Sequence, residues 1–202
     1  LGQVNGLISL IKDLLDIERL ESGKLEFEFT AVDVEDIIDI SCDTLKPHIK
    51  SKNLTLSKDF PESSLVGDED RLIQSFIALL ANAITLAIPG SNLALSATQK
   101  DEIVDFSIAF TCDDLTVIID DAVFEKYKRS TLPDPSSYGG SPLGLALAKA
   151  VVERHGGLVS IAETELEISK ARQVAFYMKV PVTRRSGTPV SLAFPVKEGV
   201  PA

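Results

Sequence analysis

Tryptophan is absent from the 202 residues, and the chain has only one Met, three Tyr, two His and two Cys. Cys42 and Cys112 cannot build a disulfide framework, and their spacing fits no zinc motif. With so few histidines beside them, metal chemistry through such ligands is disfavoured. Positive charge is also short: Lys+Arg is 20 against 30 Asp+Glu, a net charge of −10. No basic patch is available to neutralise phosphates, so nucleic acid is excluded as an expected partner. No apolar run reaches the roughly 18 residues of a membrane span, and the first residues do not read as a signal peptide, so direct membrane insertion is not expected. What remains is ordinary globular composition, 45% hydrophobic and 25% charged. The length suits one domain of about 150 residues plus an appendage. A cytoplasmic, reducing location is expected, with a parent that is itself soluble or anchored in a membrane. The chain opens at Leu1 inside an apparent helix, so a fragment of a longer protein is expected.

The first 22 residues carry apolar side chains at helical spacing. Leu7, Leu10, Leu14 and Ile17 step by three, four and three, which is a coiled-coil seam. So wide an apolar face needs covering. Two coverings are open: its own domain, or a bundle whose other helix is cut off or supplied by another chain. The second is favoured, and a helix-bundle partner or homodimer contact over residues 1–22 is expected. Ser22-Gly23 stops this helix.

Alternation predicts strands over residues 25–29, 54–60, 92–99, 103–110, 158–164 and 173–180. Helical spacing predicts helices from Asp33 to near Pro47, over 69–87 and over 143–155. Gly67-Asp68 reads as a turn, 122–127 as a helical turn, and 117–119 and 190–194 as short apolar pieces. The strands come mostly in pairs, which favours an α+β two-layer sandwich: a mixed sheet with helices on one face, preceded by the long helix. The expected divisions are 1–24 for that helix, 25–183 for the sandwich, and 184–202 for a tail with one possible strand.

Three stretches resemble the sensor histidine kinases of two-component systems and their ATP-binding domain of the Bergerat, or GHKL, fold. Residues Leu14-Leu15-Asp16-Ile17-Glu18-Arg19-Leu20-Glu21-Ser22-Gly23 look like the end of the second helix of a dimerisation hairpin. Gly67-Asp68-Glu69-Asp70-Arg71-Leu72 leading to Leu79-Leu80-Ala81-Asn82-Ala83 looks like the N box with its lead-in. Gly144-Leu145-Ala146-Leu147-Ala148-Lys149 through His155-Gly156-Gly157 looks like the second glycine box and its helix. The resemblance spans about residues 1–182.

It implies a nucleotide site, and this chain departs from it at several places. Of two Asn four apart, on one helix face, the first place is Ala78 and only Asn82 remains. Asn82 matches the family's Mg²⁺ ligand, its amide oxygen suiting a hard cation. The basic phosphate-binding place one turn on is Thr85. Counting back from Phe124, the adenine-binding Asp place is Phe110, and the glycine places beyond it are Cys112 and Asp114. Asp113-Asp114 reads as a solvated turn. The second glycine box keeps Gly139, Gly140, Gly144 and Leu145, but the glycine nearest the triphosphate is Pro142, which has no N–H to donate. The surviving nucleotide-binding set is therefore Asn82, Gly140, Gly144 and Leu145. The phosphoacceptor histidine lies on a helix this chain does not include. His48 falls in a helix–strand connection and His155 at a helix C-cap, where a structural role is expected.

The resemblance and its departures together imply a two-component signalling protein with a degenerate ATP site, acting as a dimeric, pseudokinase-like scaffold. No cofactor is expected under that reading. The expected partners are a second copy, a response regulator or another histidine kinase. The alternative is a divergent active kinase that uses Mg-ATP and passes the γ-phosphate to a histidine upstream of Leu1.

Overall fold

The computed structural model describes residues 2–113, 120–126, 132–138, 140–141, 143–165 and 171–183; of these, the side chains of 2–7, 9, 21 and 165 are left aside. The order is α1 (Gly2–Glu21), β1 (Thr30–Asp33), α2 (Val34–Ser51), β2 (Thr55–Asp59), β3 (Ser64–Gly67), α3 (Glu69–Leu86), β4 (Asn92–Lys100), β5 (Ile103–Cys112), α4 (Gly144–Arg154), β6 (Leu158–Glu165) and β7 (Arg172–Pro181). Two short 3-10 turns, Asp121–Phe124 and Pro135–Tyr138, stand between β5 and α4.

Five strands form one mixed sheet in the order β2-β4-β5-β7-β6, with β2 parallel to β4 and the other pairs antiparallel. Side chains alternate across a strand, so register sorts the two faces. Val104, Phe106, Ile108 and Phe110 of β5 stand opposite Val180, Met178, Phe176 and Val174 of β7. All eight are buried, and with Leu93, Leu95 and Ala97 of β4 they make the face that α2, α3 and α4 cover. This is the expected α+β two-layer sandwich. Each helix brings an apolar stripe to it: Ile37, Ile38, Leu45 and Ile49 from α2, Leu72, Phe76, Leu79, Leu80 and Ala83 from α3, Leu145 and Val152 from α4.

Three expectations need correction. Residues 25–29 do alternate, with Leu25, Phe27 and Phe29 half-buried and Glu26 and Glu28 exposed, but they join no ladder. The strand is the next segment, β1, paired antiparallel with β3, a strand that ends at Gly67, where the sequence pointed only to the turn Gly67-Asp68. Alternation reports two faces; a strand also needs a neighbour for its amides. Second, α2 does not end near Pro47 but runs through it to Ser51. An interior proline costs about 3 kcal/mol. Burial of Ile49, on the far side of Pro47, returns about 1.5–3 kcal/mol, and the added turn carries the chain to its cap at Lys52. Third, the predicted helical turn at 122–127 is the 3-10 turn Asp121–Phe124. The apolar pieces at 117–119 and 190–194, and the tail 184–202, lie outside the described residues.

The structure divides the proposed seam of α1. Ile17 is buried against Leu147 and Val151 of α4 in the same chain, joined by Leu20 and Phe27. Around it Asp16 accepts from Arg71 at 3.2 Å and Glu18 from Lys126 at 2.9 Å. Leu10 is half-buried and Leu14 is 37% exposed, while Ile8, Ile11 and Leu15 on the far side are 60%, 49% and 52% exposed. The side chain of Leu7 lies outside the described residues. Ile17 thus faces this chain's own domain, and the open apolar stripe is Ile8, Ile11, Leu14 and Leu15. No helix among the described residues is long and apolar enough to cross a membrane.

Candidate functional site

The candidate nucleotide residues converge where the middle of α3, the end of β5 and the start of α4 meet. On α3, Asn82 is buried and its Nδ2 donates to the Ala78 carbonyl at 2.8 Å. Thr85 Oγ1 donates to the Ala81 carbonyl, also at 2.8 Å. Both side chains turn back onto their own helix, as short polar side chains readily do. Ala78 presents only a methyl group, and α4 closes on it: a Cβ placed on Gly144 would lie 3.2 Å from the Ala78 Cβ.

At the sheet, Phe110 is fully buried and stacks on Phe176, with centroids 5.9 Å apart and planes at 30°. Phe124 meets Phe176 edge-on at 6.3 Å. Cys112 is buried, and Asp113, at the strand end, is exposed. Asp114 and Pro142 lie outside the described residues, as does Gly139.

The amides before α4 are engaged inside the chain. Gly140 N–H donates to the Pro135 carbonyl at 3.0 Å, Leu143 N–H to Ser141 Oγ at 3.3 Å, and Gly144 N–H to the Ser141 carbonyl at 3.0 Å. A helix N-terminus leaves such groups unpaired, and here Ser141 accepts from two of them. Gly140 is pressed between Pro135 and α3, since an added Cβ would come within 2.6 Å of Pro135 Cβ and 3.1 Å of Ala81 Cβ. Leu145 is buried in the core. Ser141 also bonds the side chain of buried Asp13, whose carboxyl is pushed above its ordinary range by burial.

Sequence reasoning missed the cation of this region. Lys52, at the C-cap of α2, donates to the carbonyls of Ile84 and Thr85 at 2.7 Å each. It neutralises the last turn of α3 and lies 5.2 Å from the centroid of the Tyr138 ring. Burial lowers its pKa. His48 meets the same ring edge-on at 6.2 Å. Nothing in the spacing of Lys52 signals this, because its partners are more than thirty residues away.

Phe110 offers no carboxylate, and the Asn82 amide nitrogen and the Thr85 hydroxyl are paired within α3. The sandwich around it, a mixed sheet with helices on one face, is arranged as in an ATPase of the Bergerat type. The model of the histidine kinase-, DNA gyrase B- and HSP90-like ATPases matches residues 67–197. The chain belongs to that family. It is 31% identical over 167 residues to the signal transduction histidine-protein kinase BaeS of Escherichia coli, covering 81% of this chain and 35% of BaeS. It is 28% identical over 162 residues to the circadian input-output histidine kinase CikA of Synechococcus elongatus, covering 78% and 22%. The chain thus spans about a third or less of these curated relatives. Among solved structures, the Acinetobacter baumannii histidine kinase AdeS superposes with a TM-score of 0.70 at 20% identity, over 89% of this chain and 80% of that one. The histidine kinase ThkA in complex with the response regulator TrrA gives 0.64 at 18%, over 90% and 49%. At these identities the likeness is one of fold.

Proposed function

We propose that this chain is the ATPase-like part of a two-component signalling protein whose nucleotide site has lost its chemistry, and that it works as a cytoplasmic scaffold. The observation that carries this reading is Phe110, a buried ring stacked on Phe176 at the place where the family's adenine-binding Asp is expected. A ring cannot accept the adenine amino group, a hydrogen bond worth about 1.5–3 kcal/mol when the acceptor is charged. Of the two Asn places only Asn82 remains for Mg²⁺, and its Nδ2 is held by the Ala78 carbonyl of its own helix. If an intact site of this kind binds at about 10 μM, loss of some 4 kcal/mol weakens it to about 10 mM.

Calorimetry with Mg-ATP is the test. The expected result is no saturable heat at millimolar nucleotide. A dissociation constant below about 100 μM overturns the reading, and an active kinase with Asn82 on the metal replaces it.

In the same reading, residues 1–24 are the second helix of a dimerisation hairpin, and the stripe Ile8, Ile11, Leu14 and Leu15 is covered by a second copy or a partner kinase. A response regulator is the further partner, on the likeness to the ThkA complex. Ile11→Asp with Leu15→Asp should shift the sedimenting species to a monomer. A wild-type chain that is monomeric at high concentration removes the dimer from the proposal.

A further inference from the structure

The segment that joins α1 to the sandwich, residues 24–29, passes over a polar node that the nucleotide site does not use. Asp68 lies at its centre. Its Oδ1 accepts the Arg71 N–H at 3.1 Å, capping α3, and its Oδ2 accepts the Glu28 N–H of the segment at 3.0 Å. The Asp68 N–H in turn donates to Nε2 of His155 at 2.9 Å. A backbone amide can only donate, so Nε2 is the bare nitrogen. Nδ1 then carries the proton and donates to the Val151 carbonyl at 2.8 Å. His155 is 4% exposed. Phe27 and Phe29 lie against its ring at 5.5 and 5.0 Å and stack on one another at 5.9 Å. Gly67 makes this approach possible, since a Cβ there would come within 2.6 Å of Leu72 Cδ1 and 3.2 Å of the His155 ring. From the capped turn Arg71 reaches Asp16 of α1.

Four elements meet here: the C-terminus of α4, the N-terminus of α3, the joining segment and α1. The Glu28–Asp68, Asp68–His155 and Arg71–Asp16 bonds cross between elements distant in sequence, and the segment has no ladder of its own to hold it. We propose that the Asp68–His155 node is a clamp that fixes the joining segment and thereby sets the position of α1 on the sandwich. A displacement of α1 is then passed to the ends of α3 and α4 through hydrogen bonds, with no ligand required. The inference stands whether or not nucleotide binds.

The test uses the full chain with nitroxide labels at the exposed positions of Lys12 on α1 and Glu153 on α4, and amide exchange at Glu28 read by NMR. In His155→Leu, which removes the acceptor of the Asp68 N–H, exchange at Glu28 should rise at least tenfold and the inter-label distance distribution should broaden. His155→Gln, whose amide oxygen can accept the same N–H, should restore both. If His155→Leu does not fold, Phe27→Ala decides, because it strips a half-buried ring from the clamp and leaves the α3 cap in place. A folded His155→Leu or Phe27→Ala chain with an unchanged distance distribution and unchanged exchange at Glu28 overturns the proposal.

Discussion

The two halves of α3 carry motif residues of the same family and use them differently. At the first turn, Asp68 and Arg71 bond outward, to the joining segment, to His155 through the Asp68 amide, and to α1. Two to four turns on, Asn82 and Thr85 bond, among the described residues, to carbonyls of their own helix, and Ala78 presents a methyl. The first set has partners inside the chain, so stability alone holds its chemistry in place. The second set is bonded within α3 itself, each side chain to a carbonyl four residues back. On the reading proposed above, the frame of an ATPase is kept by contacts of the first kind, while residues of the second kind are free to change.

Several experiments can break this contrast. The largest expected effect is at Phe110. Phe110→Ala should lower stability by about 3–5 kcal/mol, read by denaturant unfolding, because a large buried ring leaves a cavity beside Phe176. Phe110→Asp should be no milder and should not create nucleotide binding. A stable Phe110→Asp chain that binds ATP would show that a single residue separates the two states of the site.

Next comes Asp68→Ala, expected to cost about 2 kcal/mol, since it removes an N-cap and leaves the Glu28 amide without its acceptor. Asn82→Ala should cost about 1 kcal/mol or less, one neutral hydrogen bond to its own helix, with no change in response to Mg²⁺. If Asn82→Ala proves costlier than Asp68→Ala, the contrast between the two halves of α3 is reversed.

The smallest effect sharpens the node through pH. Burial pushes the His155 pKa down, with the Val151 carbonyl and the Asp68 carboxylate opposing. The folded chain therefore resists a proton that the unfolded chain accepts near pH 6.5. His155 contributes its full stability above that pH and loses it as the pH falls toward the lowered folded value. Asp13 and Asp105, both raised by burial, act with the opposite sign at lower pH. The wild type minus His155→Gln difference isolates the histidine: it should be flat above about pH 7 and decline below about pH 6.5. A difference curve flat throughout would mean that His155 titrates alike in the folded and unfolded chain.

Much of the frame was legible because periodicity encodes which face is buried. The stripe Leu72, Phe76, Leu79, Leu80 and Ala83, the β4–β5 hairpin and the helix ending at Gly156, whose φ is +77°, all follow from local pattern. The expectation of altered places at Ala78, Thr85, Phe110 and Cys112 came from the resemblance to the family's motifs, counted onto this sequence. The internal pairing of Asn82 and of the amides before α4 was not legible, since spacing locates a residue without saying what it bonds.

What the amino-acid order determined by itself is the sequence of elements and the apolar face of each, because both arise from contacts within a few residues. Tertiary structure alone decided that residues 25–29 would lie against His155 instead of forming a strand, that α2 would run through Pro47, and that Ile17 would turn to α4. Those outcomes rest on partners far along the chain: Glu28 and Asp68 are 40 residues apart, and Asp68 and His155 are 87 apart. A hydrogen bond or a packed ring at such separation leaves no periodic trace, and it forms only once folding has brought both ends together.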